Sequence, residues 1–283
     1  MRYLILLLSF SPLLVSCQDS VLMEETQYEG RKHILVKTNA LDYYYDLQGG
    51  GFSRIIDREG NDWVAFKMEP WGQYPASAAS SFRGLPNLVF QGEDDGAGHP
   101  GHDKCTSRVE GNSIVTESLN GLWQWTWEFY DDHVVLSIQK TDPSRSYWFL
   151  YEGIPGGKFD PQNSYYGSDN GGPKPGGHDY YKGDILWDNF QWMYTGSKHS
   201  QGTLFMVQEK ADELVDMISF LGNTEAGLES ADGMTVFGFG RGDGAKPLLQ
   251  GSQKFIIGLY PERIENKDNH QELRDYIESE FLN

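Results

Sequence analysis

The chain has 283 residues and only two cysteines, Cys17 and Cys105, which excludes a disulfide-stapled fold and leaves stability to a large core. A formal net charge of -18 with no basic stripe excludes nucleic acid, and anionic lipid headgroups, as general partners. The 33 glycines, 14% aromatic residues and mean hydropathy of -0.54 point to a turn-rich, aromatic-rich β-protein with a polar surface.

At the start of the chain, residues 1–16 read as a signal peptide: Arg2 precedes the apolar runs Leu4–Leu8 and Pro12–Val15. That stretch falls short of the roughly 20 apolar residues needed to span a bilayer. Leu14-Val15-Ser16-Cys17 resembles a bacterial lipobox. Cleavage before Cys17 and lipidation of Cys17 are therefore expected, and Gln18 after it points to the outer membrane, with the lipid as the sole membrane contact. Residues 17–30 are polar and acidic and are expected to form a tether. Residues 31–283 are expected to form one β-domain.

Strand signals then follow in chain order. His33–Thr38, Leu41–Leu47, Phe52–Asp57 and Trp63–Lys67 are short apolar or alternating runs, punctuated by Asn39, Gly49-Gly50-Gly51 and Gly60-Asn61-Asp62. In Leu122–Tyr130 the residues Trp123, Trp125, Trp127 and Phe129 fall on one face at period two, which reads as a strand with most of its tryptophans in the core. Further strands are expected at His133–Lys140, Tyr147–Glu152, Ile185–Met193, Leu204–Gln208, Met217–Leu221, Thr235–Phe239 and Lys254–Tyr260. A helical period appears only near the end, where Leu273, Tyr276, Ile277 and Phe281 share one side. Two long segments, Glu69–Lys104 and Gly153–Gly183, remain irregular, and loops of that length in a compact domain usually carry function. The fold class is thus all-β, an antiparallel sandwich with a short C-terminal helix.

The segment Gly49-Gly50-Gly51-Phe52-Ser53-Arg54-Ile55-Ile56-Asp57, followed by Gly60-Asn61-Asp62-Trp63, resembles the first hairpins of galactose-mutarotase-like supersandwiches, a fold of sugar epimerases and polysaccharide lyases. A longer set of motifs runs from Trp148-Phe149-Leu150-Tyr151-Glu152-Gly153 through Tyr165-Tyr166-Gly167-Ser168-Asp169-Asn170-Gly171-Gly172-Pro173 to Leu221-Gly222-Asn223-Thr224 and Phe237-Gly238-Phe239-Gly240-Arg241-Gly242. It resembles a group of exported proteins from glycan-degrading marine bacteria, similar to the oligosaccharide dehydratase of ulvan breakdown. The resemblance implies β-elimination on a uronic acid at the non-reducing end of an acidic oligosaccharide, alongside other enzymes of the same glycan pathway.

Such an elimination needs a cation or amide to neutralise the carboxylate, a base for the C5 proton and an acid for the departing O4. The loop Ser81–Lys104 offers Arg83, Asn87 and Lys104 for the first task and His99 and His102 as bases. The second loop offers His178 as another base, with Tyr166 and Tyr180 as acids. Arg241, in a glycine-rich turn, suits bidentate recognition of a carboxylate or sulfate, against the alternative of an ion pair with a neighbour such as Asp243. Trp71, Trp187 and Trp192 are candidates for stacking on sugar rings. His99, His102 and Cys105 form H-x2-H-x2-C, a partial zinc pattern with no fourth ligand in the sequence, and no metal or other cofactor is assigned. The competing readings are a lipid-anchored glycan-binding protein without chemistry, and a sugar epimerase or glycoside hydrolase using Glu152 or Asp169.

Overall fold

The structure, a computed structural model, describes residues 21–69, 79–176, 186–222 and 232–282. Strands β1 (Leu22–Tyr28), β2 (Arg31–Lys37), β3 (Leu41–Asp46) and β4 (Gly51–Asp57) form an antiparallel meander. A short helix, α1 (Ala79–Phe82), precedes β5 (Cys105–Glu110), β6 (Ser113–Ser118), β7 (Gln124–Phe129), β8 (His133–Lys140) and β9 (Phe149–Gly153). Next come β10 (Ser164–Ser168), β11 (Gly171–Pro175), β12 (Leu186–Asp188), β13 (Trp192–Ser197), β14 (Thr203–Gln208) and β15 (Asp216–Leu221). The chain closes with β16 (Met234–Phe239), β17 (Arg241–Gly242), β18 (Lys246–Pro247), β19 (Lys254–Tyr260) and the helix α2 (Lys267–Phe281).

Among the described residues, one sheet of nine strands runs in the order β11-β10-β13-β14-β19-β8-β7-β6-β5. The β1–β4 meander and a second sheet of four strands, β12-β15-β16-β9, form the facing layer. The two halves of that layer are joined through the loop after α1. Phe52 of β4 donates its backbone N–H to Leu85 O at 2.7 Å, while Gly84 and Glu152 of β9 exchange backbone bonds of 2.8 and 2.9 Å. Apolar side chains at alternate positions then close the core between the layers: Phe52 meets Trp127 at 4.6 Å between ring centroids, and Phe149 stacks on Phe255 at 4.6 Å. Trp123, Trp125 and Trp127 all lie in this core.

Helix α2 begins at Asn266, whose side chain accepts from the backbone N–H groups of Asp268 (2.8 Å) and Asn269 (3.0 Å). Its Leu273 and Ile277 are fully buried with Trp192, Tyr194 and Phe205, each worth about 2 kcal/mol by burial alone. The helix covers one end of the outer face of the nine-stranded sheet.

Four expectations need correction. Leu22–Tyr28, within the expected tether, is the edge strand β1, hydrogen-bonded along the whole of β2. Trp63–Lys67 is irregular, because Trp63 Nε1 donates to Asp57 Oδ2 at 3.0 Å and fixes a turn. The expected strand Ile185–Met193 breaks at Asn189, so that β12 and β13 belong to different sheets. The pairs β5–β6 and β10–β11 arise from polar or proline-bearing segments at the sheet's edges.

Candidate active site

The loop between α1 and β5 is laid down along β9 as an extra, short strand. Beyond the Gly84–Glu152 bridge, Leu150 donates to Pro86 O at 2.7 Å and Trp148 to Leu88 O at 3.3 Å. Asn87 sits within this run at φ 47°, a left-handed conformation that asparagine tolerates better than most residues. Its carbonyl accepts from Trp148 Nε1 at 2.5 Å, and its side-chain Nδ2 donates to Glu152 Oε2 at 2.6 Å.

The later part of the loop is held by a buried ion pair at the end of the meander. Arg31 Nε donates to Asp46 Oδ2 at 2.6 Å, and its Nη2 donates to His102 O at 2.9 Å. Asp46 also accepts from Gly101 N at 2.9 Å and from the backbone of Gln48 and Gly49. Two glycines permit the close approach. A Cβ on Gly49 would lie 2.4 Å from His99 O, and one on Gly96, at φ +87°, would lie 2.1 Å from His102 Nδ1.

These segments enclose a cavity of about 510 Å³ lined by Asn87, His99, His102, Trp148, Glu152 and Arg241, with Phe82, Val89, Phe90, Leu150, Leu221 and Met234 as apolar walls. Arg241 arrives from the turn after β16, where Asp216 Oδ1 accepts from Gly240 N at 2.8 Å. Its guanidinium lies 5.0 Å over the Trp148 ring, which is itself stacked on Phe90 at 4.7 Å. Among the described residues Arg241 has no ion pair within 4.0 Å, and its guanidinium makes no hydrogen bond.

Burial dominates the electrostatics. It raises Glu152 to about 7, against the opposing pull of Arg241 and the Asn87 hydrogen bond, so that this carboxyl keeps its proton close to neutrality. His102 is lowered by burial and by the nearby Lys104 and Arg31 charges, which leaves it unprotonated at pH 7. His99 falls to about 4 through burial and the adjacent His102, although both of its ring nitrogens face carbonyl oxygens. Those carbonyls belong to Pro100 (2.6 Å from Nδ1) and Phe82 (2.8 Å from Nε2), and His99 Nε2 stands 4.0 Å from Glu152 Oε2. A neutral His99 donates to only one of these carbonyls; it stands buried in the wall beside Glu152, and His102 lines the same cavity as a second imidazole.

The remaining candidates lie elsewhere. Arg83 is buried and donates to Asp232 Oδ1 (3.0 Å), Gly233 O (2.8 Å) and Ala65 O (3.1 Å), so it braces the fold and does not line the cavity. Lys104 points outward to Glu93 O at 2.8 Å. Tyr166 is buried in the main core with its ring 5.8 Å from the Lys174 ammonium, and Trp192 is sealed under α2, stacked on Tyr194. Trp187 packs on Met217, Met234 and Val236, beside the cavity wall but not in its lining. Asp169 also stands outside it, accepting from Gln191 N at 3.2 Å. Cys105 turns its thiol to Gly49 O at 3.4 Å, and burial pushes that thiol up to about 12, so it does not join His99 and His102. Among the described residues no group of three His, Cys, Asp or Glu side chains could hold a metal ion. Cys17, Trp71, His178 and Tyr180 lie outside the described residues. Glu152 is the residue that elimination chemistry did not single out; its signal was a carboxylate closing the apolar run Trp148–Tyr151.

Neither a family model nor a curated protein matches the chain. Solved structures do match its fold. A galactose mutarotase-like protein from Lactobacillus casei superposes with a TM-score of 0.50 at 11% identity, over 81% of this chain and 100% of the other. The protein HI1317 superposes with a TM-score of 0.55 at 13% identity, over 88% of this chain and 99% of the other. A TPR-domain containing protein from Parabacteroides distasonis superposes with a TM-score of 0.53 at 10% identity, over 83% of this chain but 48% of the other. The chain is an all-β sandwich of the galactose mutarotase-like kind, and at these identities the likeness speaks for fold alone.

Proposed function

We propose that the protein is a carbon–oxygen lyase that acts by β-elimination on uronic acids of acidic, ulvan-like oligosaccharides, dehydrating a non-reducing-end uronate to the 4,5-unsaturated sugar. The observation that carries this reading is an Arg241 guanidinium without a hydrogen-bonding or ionic partner, set in one cavity with a carboxyl that retains its proton to about pH 7 and an unprotonated histidine. Arg241 binds the substrate carboxylate through paired N–H groups and thereby acidifies C5–H. His102 takes the C5 proton, the released electron pair forms the C4=C5 bond, and O4 departs with the proton of Glu152. Asn87 occupies Oε2 of Glu152, which leaves Oε1 to hold that proton. If the O4 substituent is hydrogen the product is water; if it is a sugar the chain is cleaved. Trp148, covered by Phe90 and by the guanidinium, holds Arg241 in place, and the half-buried Phe90 supplies an apolar wall for the ring.

In the same reading the protein is exported, lipidated on Cys17 and held at the outer membrane, so Cys17→Ala shifts it from the membrane to the soluble fraction. A second reading, proton exchange on a neutral sugar as in an epimerase, draws on the 4.0 Å separation of His99 and Glu152. One assay separates them. Incubation with uronate-bearing oligosaccharides produces a short-wavelength ultraviolet absorbance from the conjugated double bond only if elimination occurs, and mass spectrometry then shows loss of water or chain cleavage. Flat absorbance with an altered anomeric or epimeric ratio overturns the lyase reading in favour of the epimerase. Binding without any product leaves a glycan-binding module.

A further inference from the structure

We propose that a second groove, at the β10–β11 edge of the nine-stranded sheet, is an accessory binding site for acidic glycan chains, built on Lys174, Lys198 and Arg263. The groove, of about 460 Å³, lies between β11, the end of β13 and the segment that joins β19 to α2. Lys174 is presented between Pro173 and Pro175, whose rings stiffen the backbone on either side. Lys198 is exposed, and its backbone is fixed by donation to Asn163 O at 2.9 Å. Arg263 is oriented by Nε donation to Ser200 O at 3.0 Å.

The charge balance here is the reverse of the molecule's. Glu265, exposed and 3.5 Å from Arg263, is the one carboxylate among the described lining residues, against three cations in a chain of net charge -18. Two surface lysines elsewhere pair with acids, Lys37 with Glu24 at 2.7 Å and Lys254 with Glu209 at 2.8 Å, whereas others, such as Lys32, Lys140 and Lys267, stand without an ion pair among the described residues, so it is the clustering of cations that distinguishes the groove. Lys174 and Lys198 have no ion pair among the described residues, and the neighbouring Asp160 is already engaged by His199 (2.8 Å) and Asn163 (2.9 Å). Of the neutral polar groups of the groove, the buried hydroxyls are already engaged, while the amide of Gln162 is exposed. Ser164 Oγ donates to Pro161 O, while the Tyr165 hydroxyl is shared between Thr203 Oγ1 and Ile264 N. The ammonium and guanidinium groups dominate recognition by their charge and select carboxylate or sulfate oxygens over neutral hydroxyls. A flat anionic bilayer would have to approach the surrounding negative surface as well, whereas a single polyanionic strand can follow the groove alone.

The choice of a glycan as the polyanion rests on the acidic-oligosaccharide reading above; the groove itself requires no chemistry in the first cavity. The test uses the full chain and the double variant Lys174→Gln/Lys198→Gln, with Lys198→Gln alone as the milder change. Native electrophoresis is run in gels containing ulvan, neutral dextran or nothing, at low and raised salt, while elimination is followed separately on a short uronate oligosaccharide. Expected are retardation of the wild type by ulvan but not dextran, loss of retardation with salt, and at least fivefold weaker binding in the double variant, with short-substrate turnover and melting temperature unchanged. Retardation of the double variant equal to wild type, or wild-type binding to anionic phosphatidylglycerol vesicles but not to ulvan, overturns the proposal. Lysine-dependent retardation without any ultraviolet product from the oligosaccharide sinks the lyase reading and leaves the groove standing.

Discussion

Replacing Arg241 with glutamine removes the charge that the proposed mechanism uses while keeping a side chain of similar reach. A hydrogen bond to a charged group contributes about 1.5–3 kcal/mol, so loss of the carboxylate contact lowers kcat/KM for a uronate substrate by about 10- to 150-fold. A second effect runs through Glu152. Arg241 holds the Glu152 carboxyl below the value that burial alone would set, so its removal lets Glu152 rise above about 7. Elimination needs Glu152 protonated, hence the wild-type rate falls as pH increases through about 7, and in Arg241→Gln that descending limb moves to higher pH. The stability change is small by comparison, because the variant gives up chiefly the stacking of the guanidinium over Trp148, about 0.5–2 kcal/mol. The assay is the pH dependence of kcat/KM from ultraviolet absorbance, beside a urea titration that verifies folding. An unchanged kcat/KM, or a descending limb that stays in place while the variant is folded, refutes the assignment of Arg241 to the substrate carboxylate.

Glu152→Gln abolishes turnover yet stabilises the protein above pH 7. A carboxyl raised from 4.5 to about 7 must take up a proton on folding between those values, at a cost of about 1.4 kcal/mol per pH unit, so the gain of the variant is absent below pH 4.5, grows between pH 4.5 and 7 and levels at about 3 kcal/mol above pH 7, as pH-dependent urea unfolding reports. His102→Gln reduces kcat by about 100-fold or more with little change in melting temperature, and Gly96→Ala mimics it by pushing the imidazole out of place, since its Cβ would fall 2.1 Å from Nδ1. Asp46→Ala leaves Arg31 and several backbone N–H groups without their acceptor, which costs about 3–5 kcal/mol in urea unfolding and frees the loop that carries His102.

Where a segment's own pattern decided its structure, the sequence was readable. The alternation of Trp123, Trp125 and Trp127 with polar neighbours became β7 with all three indoles in the core, and Leu273 and Ile277 became the buried side of α2. Strand β5, Cys105–Glu110, has no such alternation, because as an edge strand it buries little beyond Cys105 and is held by pairing with β6. Strand β11, with prolines at positions 173 and 175, reads as a turn for the same reason. The site divides along a similar line. His99, His102 and Asn87 lie close together in one irregular stretch and could be picked out as a group. Which arginine faces the cavity could not, because the answer depends on partners far away in the chain. Arg83 is neutralised by Asp232, while the adjacent Asp243 does not form the ion pair that would have occupied Arg241.

The chain's acidity and its proposed anionic substrate are compatible for a physical reason. Long-range repulsion from carboxylates on the surface is screened over roughly 8–10 Å at ordinary ionic strength, whereas a charge inside a cavity acts across a few ångströms of poorly screening protein. Within the cavity the nearby carboxyl of Glu152 is largely neutral at pH 6 and below, and Asp95, the other acid of the lining, lies exposed at its rim. The local field is therefore set by Arg241, held against Trp148 and without a counter-ion of its own. Raising the pH ionises Glu152 and gives Arg241 an internal partner, which competes with the substrate carboxylate. Binding of an acidic ligand and protonation of Glu152 must then favour one another, so the affinity for a non-reacting uronate falls as pH rises through about 7, even where no turnover occurs.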